Sequence, residues 1–362
     1  MQHNNPLLKA CHNPHRFITI GEILLRLTPP NYEKIRMTAA FEASYGGSEA
    51  NIALSLANLG IDSTFFTVLP NNSLGKSAVR MLRSNDVHCT PVILSTPEQT
   101  PTHRLGSYYL ETGFGIRASK VIYDRKNSAI TEYDFSSYDF SELFEGFTWL
   151  HLSGITPALG AGCREMLLRC LKSAKEKGLT VSFDGNYRSS LWTWEEARDF
   201  CTECLPYVDI LFGIEPYHLW KDENDHSKGD LKDGMALQPD YEEQDRNFRA
   251  FVKRYPNLQC IARHVRYAHS GTENSLKAYM WQDGHTFESK LFTFNILDRV
   301  GGGDAFASGL IYAMMNGYSS EDSVNFAVAS SALKHTIRGD ANITDDAEAI
   351  RSLMNMNFDI RR

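Results

Sequence analysis

From about residue 148 onward, strand-like and helix-like segments alternate regularly, and that rhythm restricts the fold more than any other feature. "TWLHLSGI" is followed by "GCREMLLRCLKSAKEKG", "TVSFDGN", "TWEEARDFCTECLPY" and "VDILFGI". Short β-branched and aromatic runs separated by amphipathic stretches imply βαβ crossovers, so the strands should lie parallel with helices on both faces. The expected class is α/β with a mostly parallel central sheet. At 362 residues and 42% hydrophobic, the chain can bury a large core, in one large domain or two.

The first half is less regular. "RFITIGEILLRLTPP" reads as one strand stopped by Pro29 and Pro30, and residues 48 to 59 as a helix with Ile52, Leu54, Leu56 and Leu59 on an Ala-rich frame and Gly60 as its cap. "STFFTVLP" reads as a strand, "SLGKSAVRMLRSND" as a helix, and "THRLGSYYLET" and "KVIYDR" as strands. The strand-rich parts near 31–45 and 100–128 do not fit the βαβ rhythm and are expected to form a small sheet projecting as a lid. The polar, Gly- and Asp-rich stretch 221–247 reads as a surface insertion.

Charge and composition exclude several function classes. A net charge of -7 and a pI near 6.0 argue against nonspecific nucleic-acid binding, which draws its affinity from a basic face. "MQHNNPLLKACHNPHRF" has no apolar signal core, and no run of 18 apolar residues occurs, so a soluble cytoplasmic protein without membrane partners is expected. Seven scattered cysteines do not form a disulfide framework, and Cys201 and Cys204 lie in a helical pattern with no second pair to complete a zinc site.

"DRVGGGDAF", residues 298 to 306, carries the chemistry. A β-like stretch precedes it, and Phe306, Leu310, Ala313 and Met314 follow at helical spacing, closed by Gly317. Gly301, Gly302 and Gly303 therefore sit at a helix N-terminus. There backbone N–H groups lack intrahelical partners, the macrodipole favours an anion, and no Cβ keeps that anion away. Asp304 in such a hole is either a general base for a hydroxyl being phosphorylated or simply a helix cap, and the segment alone leaves both open. No GxxxxGK[ST] occurs anywhere, and GxGxxG is absent at this turn.

"DRVGGGDAFASGL" resembles the C-terminal signature D-x-x-G-A-G-D-x-F of ribokinase-like (PfkB-type) sugar kinases. "YGGSEANIALSLANLG" resembles that family's N-terminal signature, a Gly-Gly pair, a small residue and an Asn opening a helix. Within the family the chain resembles most the 2-keto-3-deoxygluconate kinases, through "GEILLRLTPP", "FFTVLPNNSLG", "YDRKNSAI", "HLSGITPAL", "FDGNYRSSLW" and "LKHTIRGDANITD". The resemblance runs through residues 16–350 apart from the insertion. It implies a ribokinase-like fold with a β lid, a homodimer formed through that lid, and ATP and Mg²⁺ as cosubstrate and metal.

The resemblance also distributes roles. Gly46, Gly47 and Asn51 would receive the sugar, with Glu22 and Arg26 beside it. Tyr108, Tyr109, Tyr123, Arg125 and Arg188 match substrate-contacting positions; a sugar acid calls for Arg, which pairs with a carboxylate in matching geometry. Asn186 and Arg188 would face both substrates, and Asp304 would be the base. Asp298 falls in a candidate monovalent-cation loop for K⁺ or is a plain turn residue, and Lys334, Asn325 and Asn342 lie in the part that flanks the adenine.

The pattern departs from the family in two places. Ile214 stands where an Asn of an N-x-x-E-type motif is expected, leaving Glu215 as the candidate water-mediated Mg²⁺ ligand. The usual K-x-G-x-x-G nucleotide loop is replaced by a basic run with Arg263, His264 and Arg266, of which Arg266 would serve the phosphates. A kinase of a neutral sugar or nucleoside, or a degenerate sugar-binding pseudokinase, remain alternatives.

Overall fold

The computed structural model describes residues 15–217 and 241–356. Its large sheet runs in the order His285–Glu288, Glu273–Gln282, Cys260–Ala268, Ile210–Phe212, Thr180–Asp184, Trp149–Ser153, Arg16–Ile20, Asp62–Phe66, with Phe292–Asn295 also paired to Glu273–Gln282. The six strands from Cys260–Ala268 to Asp62–Phe66 are mutually parallel, and the hairpin beyond them is antiparallel. The expected class is the one observed.

The sheet is covered on both faces, which explains its near-continuous apolar strands. Successive residues alternate between two cores. Leu150, Leu152, Val181 and Phe183 pack with Met166, Leu167 and Phe200 of the helices Ala161–Glu176 and Trp194–Cys204. Phe17, Trp149, Ile210 and Phe212 pack with Ile52, Phe306, Leu310 and Phe326 of the helices Ser48–Asn58, Gly302–Met315 and Ser320–Lys334. Cys201 and Cys204 are fully buried in the first core, and burial pushes both thiols up, Cys201 to about 12. They are helix residues, as expected.

A second sheet has the order Glu42–Gly46, Leu24–Thr28, Ser107–Glu111, Lys120–Asp124. It corrects one expectation. The stretch 16–30 is not one strand: Arg16–Ile20 joins the large sheet, and Leu24–Thr28 joins the small one. Between them Gly21 lies so close to the Glu49 carboxylate that a Cβ there would overlap it, and Gly47 packs against the Glu22 carbonyl. The chain changes sheets where the helix Ser48–Asn58 begins. Likewise 31–41 holds no strand; Pro30–Tyr32 is a short 3-10 turn, with Pro fixing its first residue.

Residues 241–247, expected within a surface insertion, are the first turns of a helix, Tyr241–Arg254, whose Gln244, Asn247, Phe248 and Phe251 are buried. The rest of that stretch, from 221 to 240, lies outside the described residues. The turn at 113–117 of the second sheet reaches the hairpin turn of the large one, where Gly271 N–H donates to the Gly115 carbonyl at 2.6 Å. No described helix is long and apolar enough to cross a membrane.

Candidate active site

The carboxyl ends of the parallel strands open into a cavity of about 1260 Å³ roofed by the second sheet. This is where open α/β sheets bind ligands. Gly46, Gly47, Asn51, Tyr108, Tyr123, Arg125, Asn186, Arg188, Arg266, Glu215 and the run from Gly301 to Asp304 all line it, with Glu22, Arg263 and His264. Two motifs some 250 residues apart in sequence thus share one wall.

Gly301 is the residue before the helix Gly302–Met315 and has φ 81, a left-handed backbone that favours glycine. The first turn closes with Ala305 N–H on the Gly301 carbonyl at 2.9 Å, so the N–H groups of Gly302, Gly303 and Asp304 lie ahead of the helical ladder. A Cβ on Gly302 would overlap the ring of His335, and one on Gly301 would overlap the Asp340 carbonyl. The turn is packed from beneath as well as bare above.

Both carboxylate oxygens of Asp304 are held. Ser48 Oγ donates to Oδ1 at 2.7 Å, and Asn51 Nδ2 donates to Oδ2 at 2.7 Å. Burial nonetheless raises the Asp304 carboxyl above the ordinary carboxylate range, with Asn51, Ser48 and Arg188 opposing. At the end of its strand, Asp184 is pushed up to about 7 by burial and by the charge of Asp304. Buried Glu49 accepts from Ser153 Oγ at 2.7 Å and Thr156 Oγ1 at 2.8 Å and is also raised by burial.

On the other side the cavity is basic. Arg263, Arg266 and Arg299 line it beside the glycine turn. Arg263 Nη2 donates to Glu215 Oε1 at 2.9 Å, and Ile214 N–H donates to Glu215 Oε2 at 3.2 Å. His264 packs on the Phe306 ring, 4.9 Å between centroids, and burial lowers it to about 3, leaving a neutral imidazole. Acid floor and basic wall face one opening, the division that a proton abstraction beside a polyphosphate requires.

Other expected residues are placed differently. Arg125 donates through Nε to Glu22 Oε2 at 2.7 Å, and Glu22 also accepts from Ser128, so the guanidinium is fixed at the cavity edge. Arg188 Nη1 donates to the carbonyl of its own neighbour Tyr187 at 3.0 Å. Tyr108 is buried, with its hydroxyl on Asp340, whereas Tyr123 is exposed at 45%.

Arg26 does not face the cavity. Only 4% exposed, it donates to Asp340 and Asp298 at 2.5 Å each; burial opposes its charge, but the two carboxylates outweigh it and raise the guanidinium. Asp298 is likewise outside the cavity lining. Its oxygens also accept from Val300 and Gly339 N–H groups, and the buried Lys334 ammonium lies 3.4 Å from its carbonyl. Tyr109, Asn325 and Asn342 stay outside the lining as well. Ser48, Glu49, Asp184 and Asp340, by contrast, line the cavity without having been singled out.

The pfkB family carbohydrate kinase model matches residues 15–227 and 256–347. The chain belongs to that family. It is therefore a phosphotransferase acting on a sugar hydroxyl. The 2-dehydro-3-deoxygalactonokinase of Haloferax volcanii is 31% identical over 338 residues, covering 93% of this chain and 96% of the relative. The 2-dehydro-3-deoxygluconokinase of Bacillus subtilis is 26% identical, covering 93% and 94%. The crystal structure of the 2-dehydro-3-deoxygluconokinase of Thermotoga maritima superposes with a TM-score of 0.84 at 38% identity, covering 94% of this chain and 99% of that one.

Proposed function

We propose that the protein transfers the γ-phosphoryl group of ATP to the terminal hydroxyl of a 2-keto-3-deoxy sugar acid, gluconate- or galactonate-derived, with Asp304 as general base. The observation that carries the reading is the Asp304 carboxylate, oriented by Ser48 and Asn51, at the mouth of an unobstructed glycine-rich helix N-terminus. The relatives' names support a sugar acid and span both epimers.

The acceptor hydroxyl would sit on Asp304 between the Gly46–Gly47 turn and Tyr123. As its oxygen bonds to phosphorus, the proton passes to Asp304, and the bond to the ADP oxygen breaks. The N–H groups of Gly302, Gly303 and Asp304 would donate to the transferring phosphoryl oxygens, and Arg188 and Arg266 would neutralise its charge. Arg125 would pair with the substrate carboxylate.

Among the described residues no cluster of three or more His, Cys, Asp or Glu side chains holds a metal ion by itself. Mg²⁺ keeps several waters and takes few protein ligands; Glu215 and Asp184, two carboxylates lining the cavity, would hold it, and it would neutralise phosphate charge. Monovalent cations fit less well. The Asp298 carboxylate is engaged by Arg26, and Lys334 sets its own ammonium on the Asp298 carbonyl, so the chain brings its own cation to that loop. The exposed edge strand Lys120–Asp124, with Val121 and Ile122 38% and 42% exposed, supports a homodimer through the lid.

ADP release measured across sugar acids and neutral sugars, with and without Mg²⁺, tests the reading. Faster turnover of fructose, ribose or a nucleoside than of any 2-keto-3-deoxy acid defeats the acid assignment, and no substrate-dependent ADP release defeats the kinase assignment.

A further inference from the structure

Ser48 is the first residue of the helix Ser48–Asn58 and has no part in the reaction as set out above beyond its contact with Asp304. Its surroundings decide which way its single proton points. Asn186 Nδ2 lies 3.0 Å from Ser48 Oγ. An amide NH₂ only donates, so the Ser48 oxygen accepts there and its proton is left for the carboxylate. Asn186 is itself fixed, with a left-handed φ of 39 and its N–H on Asp184 Oδ1 at 2.8 Å. One line of contacts thus runs from the end of the strand Thr180–Asp184 through Asn186 and Ser48 to Asp304.

We propose that Ser48, aimed by Asn186, is a positioning residue that orients Asp304 and keeps it ionised at working pH. The proposal rests on the reading of Asp304 as base. Asp304 shares one cavity wall with the acids Asp184, Glu49 and Asp340 and with Arg188; burial and Asp340 disfavour its ionised form, and Asn51, Ser48 and Arg188 oppose that. With one donor on each oxygen, the carboxylate plane is fixed and lone pairs remain for an incoming hydroxyl. The Ser48 hydroxyl bonds the charged form more strongly than the neutral one, which favours the base over its conjugate acid.

The test is the pH profile of kcat/KM for the wild type, Ser48→Ala, Ser48→Thr, Asn186→Gly and Asp304→Asn. Ser48→Ala should move the acid limb up by about one pH unit, with the KM for ATP unchanged, and Ser48→Thr should restore the wild-type limb. Asn186→Gly, which suits the left-handed backbone, should give a smaller shift in the same direction. An acid limb unmoved in Ser48→Ala, while Asp304→Asn is inactive, overturns the role of Ser48 alone. Near-wild-type turnover in Asp304→Asn overturns the base itself. Should Ser48→Ala fold poorly, the Asn186→Gly profile decides, and no shift in it overturns the aiming.

Discussion

Lys334 directs its ammonium at the main-chain carbonyl of Asp298, 3.4 Å away, although the side chain is fully buried. Burial lowers the lysine, and Asp298 and Asp340 counter that. Replacing K⁺ by Na⁺ or a bulky organic cation in the assay should therefore leave turnover unchanged. Lys334→Met strands two buried carboxylates with one counter-charge, which should lower stability by about 3 kcal/mol and make turnover respond to added K⁺ or NH₄⁺. A steep K⁺ requirement in the wild type contradicts the built-in cation.

Gly301→Ala puts a Cβ into the Asp340 carbonyl at a left-handed φ of 81. Strain of that kind costs about 1–3 kcal/mol before any overlap is relieved. Both the melting temperature and kcat should fall, because the displaced turn carries Asp304. A variant that melts with the wild type and turns over normally would show that the turn is not packed as described.

Arg125→Ala separates recognition from chemistry. Loss of a charge-assisted hydrogen bond should raise the KM for sugar acids by about ten- to a hundredfold, with little change for ATP or neutral sugars. Equal effects on acids and neutral sugars would mean that Arg125 holds the cavity edge through Glu22 rather than the substrate.

His151 governs part of the acid stability. It is fully buried, shares a hydrogen bond with Ser182 Oγ at 2.9 Å, and leaves Nε2 without a partner among the described residues; burial takes it from 6.5 to about 3. The unfolded chain gains a proton below pH 6.5 that the folded chain refuses until about 3. Stability is therefore complete above 6.5 and is lost as pH falls through that window. His264 and His335 act with the same sign. Asp184, raised to about 7, acts against them, since its folded form keeps a proton between 3.8 and 7. Denaturant unfolding of His151→Phe at pH 7, 6 and 5 should show a slope flatter on average by about 1 kcal/mol per pH unit. An unchanged slope would place the acid sensitivity elsewhere.

The glycine turn was legible because its chemistry is local: three glycines, a helix behind them and one acid. The parallel sheet was legible because both its faces are buried, so its strands read as apolar runs. Ser48 was not, because its partner lies 256 residues away and its neighbours Gly47 and Asn51 already carried a role. Asn51, read as gripping the sugar, was found on Asp304.

Arg26 was read as a sugar contact, yet the strand Leu24–Thr28 buries Leu24 and Arg26 at 3% and 4%. Period-two alternation alone places both on one face, but the two carboxylates that allow an arginine to be buried there come from distant loops. The change of sheet at Gly21–Ile23 left no mark in hydrophobicity, since the two strands are equally apolar. The close approaches of Glu49 to Gly21 and of Gly47 to the Glu22 carbonyl mark it instead.

The pairing of Arg26 has a consequence for how the chain is made. Its guanidinium belongs to the second strand, yet its two carboxylates arrive 272 and 314 residues later. During synthesis the small sheet therefore cannot bury that charge until residue 340 has left the ribosome. The N-terminal part must wait for the C-terminal part, and the last piece to arrive is the segment around Asp340, whose carbonyl packs beneath the catalytic turn at Gly301.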